Sequence, residues 1–297
     1  MKSGTGDRIF YGINYTLLSI ILFVYLYPMI YIVSCSFSSA QAVISGEVWL
    51  WPVQPTLMGY QTIFKNRDIM SGYGNSIFYT VSGTALAVAL TMIAAYPLSR
   101  KDFKLGGPIM LIFTFTMFFG GGIIPTYLLM SSLGLINTRT VMIVPGALSV
   151  YNVILSRTFI RSSIPVELHE AGQIDGCSDF LYFRTVVLPL SKAIIAVIAL
   201  FYAVGYWNSY FGALIYLHDR AKYPLQLVLR EILIQNRMSA LEVAAGGLSP
   251  DEIAARQSLY ELLKYSLIIV ASVPVLCIYP FVQRYFVKGI MIGAIKG

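Results

Sequence analysis

The sequence predicts an all-α integral membrane protein of six transmembrane helices, and three observations carry that reading. Of 297 residues, 57% are hydrophobic and only 12% charged, where a soluble domain carries about 25% charged residues. Six separated stretches are apolar over the roughly 20 residues that a helix needs to cross a hydrocarbon core of about 30 Å. Basic residues crowd alternate connections between those stretches, an asymmetry that orients helices in a bilayer.

The first span is read as Ile13 to Phe37, behind a short N-terminal segment, 1–12. Ala40-Gln41-Ala42 looks like a cleavage site, but the apolar region exceeds the roughly 7 to 15 residues of a signal-peptide core, so a retained helix is expected. The second span is Asn75 to Leu98 and the third Pro108 to Met130. The third contains Gly120-Gly121-Gly122, which either breaks the helix beside a cavity or lets helices pack closely. Val141 to Ser156 reaches spanning length only when 138–159 is counted. The fifth span is Ala193 to Tyr216 and the sixth Ser266 to Gln283. No Asp, Glu, Lys or Arg lies within these apolar cores. A charge at the bilayer centre costs about 2.5 to 3.5 kcal/mol on insertion scales and is retained mainly for function.

Orientation follows from Lys and Arg. Lys2 and Arg8 precede the first span, Arg100, Lys101 and Lys104 fill the second connection, Arg157, Arg161, Arg184 and Lys192 the fourth, and Arg284, Lys288 and Lys296 follow the sixth. These segments fall on one side, so both termini are expected in the cytoplasm. The net charge of +7 and pI near 9.2 come from such scattered flanks rather than a basic run, which excludes nucleic acid as the expected partner. Cys35, Cys177 and Cys277 are too far apart to suggest a disulfide framework or a metal knuckle. His169 and His218 fall on opposite predicted sides and are not expected to share a metal or catalytic site.

Two extramembrane segments stand out: an external loop, 217–264, and a cytoplasmic loop, 160–191. In the external loop, Ser249-Pro250-Asp251-Glu252 reads as a capped helix start. In the cytoplasmic loop Pro165 opens a helix whose first turns carry Glu167 and Glu170, where the helix dipole favours anions. Gly176 is placed to end it in the left-handed conformation, and Ser178 to cap a second helix before Pro189. Val166, Leu168, Ala171 and Ile174 cannot all face their own protein, while Glu167 and Glu170 share one face. Taken alone this is an ordinary capped amphipathic loop.

The spacing says more. Glu170-Ala171-Gly172, three residues, Gly176, nine residues, Val186, one residue, Leu188-Pro189 resembles the EAA loop of permease subunits of ATP-binding cassette importers. Gly172 stands where that pattern has Ala, and Val186 where it has Ile; a helical Gly in place of Ala costs up to about 1 kcal/mol. The resemblance implies a type I importer permease fold in the bacterial inner membrane, without catalytic activity of its own. It implies an ATPase-coupling set of Glu167, Glu170, Ala171, Gly172, Asp175, Gly176, Leu188 and Pro189, with Glu170 as anchor and Gly176 as pivot. It implies four kinds of partner: a second homologous permease subunit, two ATP-binding subunits, an extracytoplasmic solute-binding protein and membrane lipid. ATP and Mg would sit on the ATPase, consistent with the lack of a Gly-x4-Gly-Lys-Ser/Thr phosphate loop in this sequence. Pro165-Val-Glu-Leu, Trp207-Asn208, Tyr223-Pro-Leu-Gln226 and Gln283-Arg-Tyr-Phe-Val-Lys-Gly289 resemble the carbohydrate branch, the smaller maltose-type permease in particular, whose C-terminal tail, here 289–297, also reaches the ATPase. Phe119-Gly-Gly-Gly-Ile-Ile-Pro125-Thr-Tyr127 resembles importers of oligosaccharides and polysaccharide fragments such as alginate or rhamnogalacturonan.

A sugar path needs aromatic platforms and amide or hydroxyl partners. The fifth span supplies Tyr206, Trp207, Asn208, Tyr210 and Phe211, equally readable as an interfacial aromatic belt; Asn75 and Tyr79 form a second pair in the second span. An ion-coupled secondary transporter would place an ionisable residue at mid-membrane, against the charge-free cores. A membrane enzyme would need nucleophile motifs, His clusters or paired carboxylates, which are lacking. Composition alone leaves a channel open.

Overall fold

The computed structural model describes residues 5–244, 258, 260–278, 280 and 283, and every regular element among them is helical. The chain divides into two compact units, one comprising Met1–Ile69 and Leu229–Val273, the other Met70–Val228 and Pro274–Gly297.

The first unit opens with α1 (Thr5–Phe37), followed by α2 (Ala40–Ile44) and α3 (Met58–Lys65). The large apolar side chains of α1 from Ile9 to Ile30 are exposed. A helix apolar on all sides suits a lipid surround. Only its last turns are buried, where Tyr31 and Cys35 pack with Ala42, Val43, Val48 and Tyr265. Serines hold the chain there: Ser34 Oγ donates to the Leu50 carbonyl at 2.6 Å, and Ser38 Oγ accepts from the Val53 N–H at 3.0 Å.

The second unit carries most of the long helix α4 (Arg67–Ser99), then α5 (Gly106–Phe118), α6 (Ile123–Ser132), α7 (Val150–Ser163), α8 (Val166–Ile174) and α9 (Asp179–Tyr182). A π-helical turn, Phe183–Val187, leads to α10 (Leu188–Leu190), α11 (Lys192–Trp207) and α12 (Tyr210–Tyr216). The helix α13 (Leu225–Ala244) begins here, and α14 (Tyr260–Ile278) ends here.

Among the described residues, α1, α4 and α14 are each long and apolar enough to cross a membrane, and counting two bent helix pairs brings the number to five. One pair is α5 and α6, bent by 114°. Its break is the run Gly120-Gly121-Gly122, with Gly122 at φ +85°, a region open to glycine without steric cost. Within the chain a Cβ on Gly120 or Gly122 would meet nothing within 4 Å, so the feature this run supplies here is the bend. The other pair joins Asp179–Leu190 to Lys192–Trp207 at 80°.

The expected fourth span, 138–159, folds differently. It forms a 3-10 turn, Thr140–Met142, a stretch of turns through Pro145 and Gly146, and then α7. Pro145 lacks an N–H and glycine adds backbone freedom, which together end helical pairing. At 14 residues, α7 measures about 21 Å, short of a hydrocarbon core. The fifth expected span likewise divides into α11 and α12 around Asn208. The capped helix expected at Ser249 and the tail 289–297 lie outside the described residues.

Among the described residues, two cores hold the second unit. Ala87, Met92 and Ala95 of α4 pack with Ile160, Tyr182, Val187, Ile194, Ile198, Tyr202 and Tyr206. Tyr79 packs with Met130, Val141, Met142, Ala213, Leu217 and Leu227. The first of these cores reaches the loop that carries α8.

Candidate functional site

Helix α8 is built from local rules. Pro165 is its N-cap in extended conformation rather than its first residue, and Glu167 stands in the first turn. The C-terminus closes as a Schellman motif: the Cys177 N–H donates to the Gly172 carbonyl at 2.8 Å and the Gly176 N–H to the Gln173 carbonyl at 3.0 Å. Gly176 has φ +73°, the left-handed conformation this motif requires. Ser178 then caps α9, its Oγ accepting from the Leu181 N–H at 3.3 Å. The expected helix, turn and second helix are all present.

No residue of α8 is buried. Val166 and Leu168 are exposed and Ile174 is 87% exposed, with Glu167, Glu170 and Ala171 exposed beside them. Apolar and acidic side chains thus lie open together on this short helix. Asp175 is the C-cap. Leu188 packs on the adjoining core, and Pro189 sits exposed in α10.

One side chain fixes α8 from behind. Tyr182 is buried, and a Cβ built on Gly172 would stand 3.2 Å from its ring. Tyr182 also meets the His169 ring edge-on at 5.1 Å and the Tyr96 ring at 6.4 Å. A methyl at position 172 would therefore require the Tyr182 ring to shift by a few tenths of an ångström.

Arg100, just beyond α4, gathers charges beside this packing. Its guanidinium pairs with Asp102 through two nitrogens, Nε to Oδ1 at 2.9 Å, and with Asp179 at the start of α9. The Arg100 hydrogen bond holds the Asp102 carboxyl below the usual carboxylate range, and that bond in turn raises Arg100. His169 Nε2 approaches Asp179 at 3.5 Å. A cavity of about 520 Å³ opens against α8, lined by Arg100, Arg161, Glu167, His169 and Glu170 among others. From sequence Arg100 reads only as an orienting charge: Asp179, its partner in α9, is 79 positions away, and no local pattern pairs them.

The residues expected along a substrate path are divided. Asn75 Nδ2 donates to the Ala221 and Tyr223 carbonyls at 2.8 and 3.0 Å, and Tyr79 OH to Lys222 at 2.8 Å. Both are buried, so they latch the turn before α13. Tyr206 is also buried, its OH donating to the Ile143 carbonyl at 2.8 Å and its ring filling the space beside Gly83. Trp207 is buried against Tyr73, ring centroids 5.7 Å apart. Asn208 bonds back to Val204, while Tyr210 is exposed. A second cavity, of about 540 Å³, is lined by Tyr151, Asn152, Phe201, Tyr202, Tyr206 and Tyr216 among others. Tyr151, Phe201, Tyr202 and Tyr216 were not singled out from sequence, because aromatics scattered through apolar helices read as ordinary core.

Comparison with known proteins bears on the chain as a whole. Residues 92–292 match the family model described as binding-protein-dependent transport system inner membrane component. The chain is 39% identical to the polygalacturonan/rhamnogalacturonan transport system permease protein YtcP of Bacillus subtilis over 100% of both chains. It is 27% identical to the melibiose/raffinose/stachyose import permease protein MelC of the same species over 84% of each. Among solved structures, it resembles a chain from a bacterial ABC transporter involved in the import of the acidic polysaccharide alginate, with TM-score 0.84 and 32% identity, covering 96% of this chain and 99% of that one.

Proposed function

From the premise that this chain belongs to the family of binding-protein-dependent transport system inner membrane components, we propose that it is the permease subunit of an ABC importer for acidic oligosaccharides or polysaccharide fragments. The observation that carries the coupling role is α8, a capped helix with no buried residue, bearing Glu170, Ala171 and Gly172 ahead of a left-handed Gly176. The helix docks in a cleft of an ATP-binding subunit. Glu170 is the anchor, and Gly176 is the pivot that leaves α8 free to tilt relative to α9. ATP and Mg are bound by that partner, and this chain performs no chemistry of its own.

The assembly holds a second homologous permease subunit, two ATPase subunits and an external solute-binding protein, in the inner membrane with this chain's termini in the cytoplasm. Six crossings remain the proposed topology, with the broken segments around α5 and α6, α7, and α11 and α12 completed by the partner permease and lipid. The acidic substrate class is supported by the likeness to the polygalacturonan/rhamnogalacturonan permease and the alginate importer. Along the path, the cavity between Tyr151, Phe201 and Tyr216 supplies aromatic platforms, and exposed Tyr210 and Asn208 supply polar contacts near it. Asn75, Tyr79 and Trp207 shape the path from behind.

The reconstituted complex in vesicles, with its binding protein, tests this reading. Oligogalacturonides, alginate oligomers and raffinose are offered with and without ATP. ATP-dependent uptake that favours the two acidic oligomers is expected. Uptake that persists without ATP would sink the importer reading, and preference for raffinose would move the substrate to neutral sugars.

A further inference from the structure

Besides its covalent link to α7 through Ile164 and Pro165, the loop bearing α8 reaches the rest of the second unit by two routes. One runs along the chain through the π-helical turn Phe183–Val187 to the 80° bend before α11. Ser191 sits at that bend, buried, with no hydrogen-bond partner for its Oγ. With a π-helical turn and an 80° bend in its course, this route is not a straight strut.

The other route is lateral and made of side chains. Tyr182 fills the hollow at Gly172 and touches Tyr96 of α4. Arg100 continues α4, and all three of its guanidinium nitrogens are engaged. Nε and Nη2 hold Asp102, while Nη1 reaches both Asp179 and the Tyr96 OH, the latter at 3.2 Å. Arg157 of α7 adds a tie to the same helix end, its Nε donating to the Leu98 carbonyl at 2.7 Å. The Arg100 side chain is only 16% exposed, which sets it apart from a solvated flank charge.

We infer that Arg100 is the positioning residue that delivers displacement of the coupling loop to α4, by clamping Asp179 of α9 to the end of that helix. This rests on the docking role of α8 proposed above. The competing role for Arg100 is a positive charge that sets topology, and such a role needs the charge alone. The clamp needs the planar fork of arginine, which a lysine ammonium does not reproduce. Arg100→Lys therefore separates the two.

In the reconstituted complex, ATP hydrolysed per oligogalacturonide imported is compared for wild type, Arg100→Lys, Asp179→Asn and the double variant, with assembly checked by co-purification of the ATPase. Asp179 is largely exposed, so its variant is expected to fold and keeps the test open should Arg100→Lys assemble poorly. Each single variant is expected to assemble yet raise that ratio by roughly threefold or more, and the double variant to be no worse than either single one. A wild-type ratio in Asp179→Asn, or in an assembled Arg100→Lys, overturns the clamp, as do effects that multiply in the double variant. Failure of wild type itself to couple ATP to uptake would instead remove the docking reading beneath it.

Discussion

Gly172 shows how one missing methyl is decided by its neighbour. The pattern that this loop resembles has alanine there, and helix propensity favours alanine by up to about 1 kcal/mol. Against that stands the Tyr182 ring, 3.2 Å from the position of the added Cβ and bracketed by Tyr96 and His169. Tyr182 must give by a few tenths of an ångström to admit the methyl, and with two rings packed on it the steric cost is expected to outweigh the propensity gain. Gly172→Ala is therefore expected to lower the thermal stability of the complex, despite its conformity to the pattern; an unchanged or raised Tm would show that Tyr182 yields freely. Gly176→Val is expected to cost at least about 1 to 2 kcal/mol, because a side chain in the left-handed region is strained, and to lower stimulated ATP hydrolysis with it. Glu170→Ala touches an exposed side chain and is expected to leave Tm unchanged while reducing ATPase binding. Wild-type binding by that variant would dismiss Glu170 as the anchor.

At the scale of elements, the loop was far more legible than the spans around it. Its caps obey rules confined to a few residues, so Glu167, Gly176 and Ser178 could be assigned from spacing. The fourth expected span failed as one helix because an apolar window averages over Pro145 and Gly146, which end pairing locally while leaving hydropathy high. Asn75 and Tyr79 looked like path residues because their bonded carbonyls, at Ala221, Lys222 and Tyr223, are remote in sequence. The Arg100–Asp179 contact is a long-range feature of the same sort, while the Arg100–Asp102 pair, two residues apart, sets an acid dependence. Asp102 is depressed in the folded chain, so its contribution is fully present above its unfolded value near 3.9 and fades only as pH falls through the lower folded value. Coupling efficiency is thus expected to be flat with respect to this pair between pH 8 and pH 5. A titration of coupling in that window that vanished in Asp102→Asn would contradict it.

For the whole molecule, orientation is the property that sequence argues and membrane labelling decides. Lys101→Cys and Asp175→Cys are expected to react with an impermeant maleimide from the cytoplasmic face, and Glu47→Cys from the opposite face. All three positions are exposed in the lone chain, so in the subunit without its ATPase protection from both sides is not the expected result; labelling of positions 101 and 175 from opposite faces would refute the topology. The α8 surface also bears on the fate of a copy made without its partners. Val166, Leu168 and Ile174 stand open on a nine-residue helix with no buried residue, so its local opening has little to overcome. An orphan subunit would present this segment to cytoplasmic proteases, whereas the docked ATPase would shield it. Subunit stoichiometry would then be policed by degradation, with limited proteolysis cutting between Pro165 and Asp179 only where the ATPase is missing.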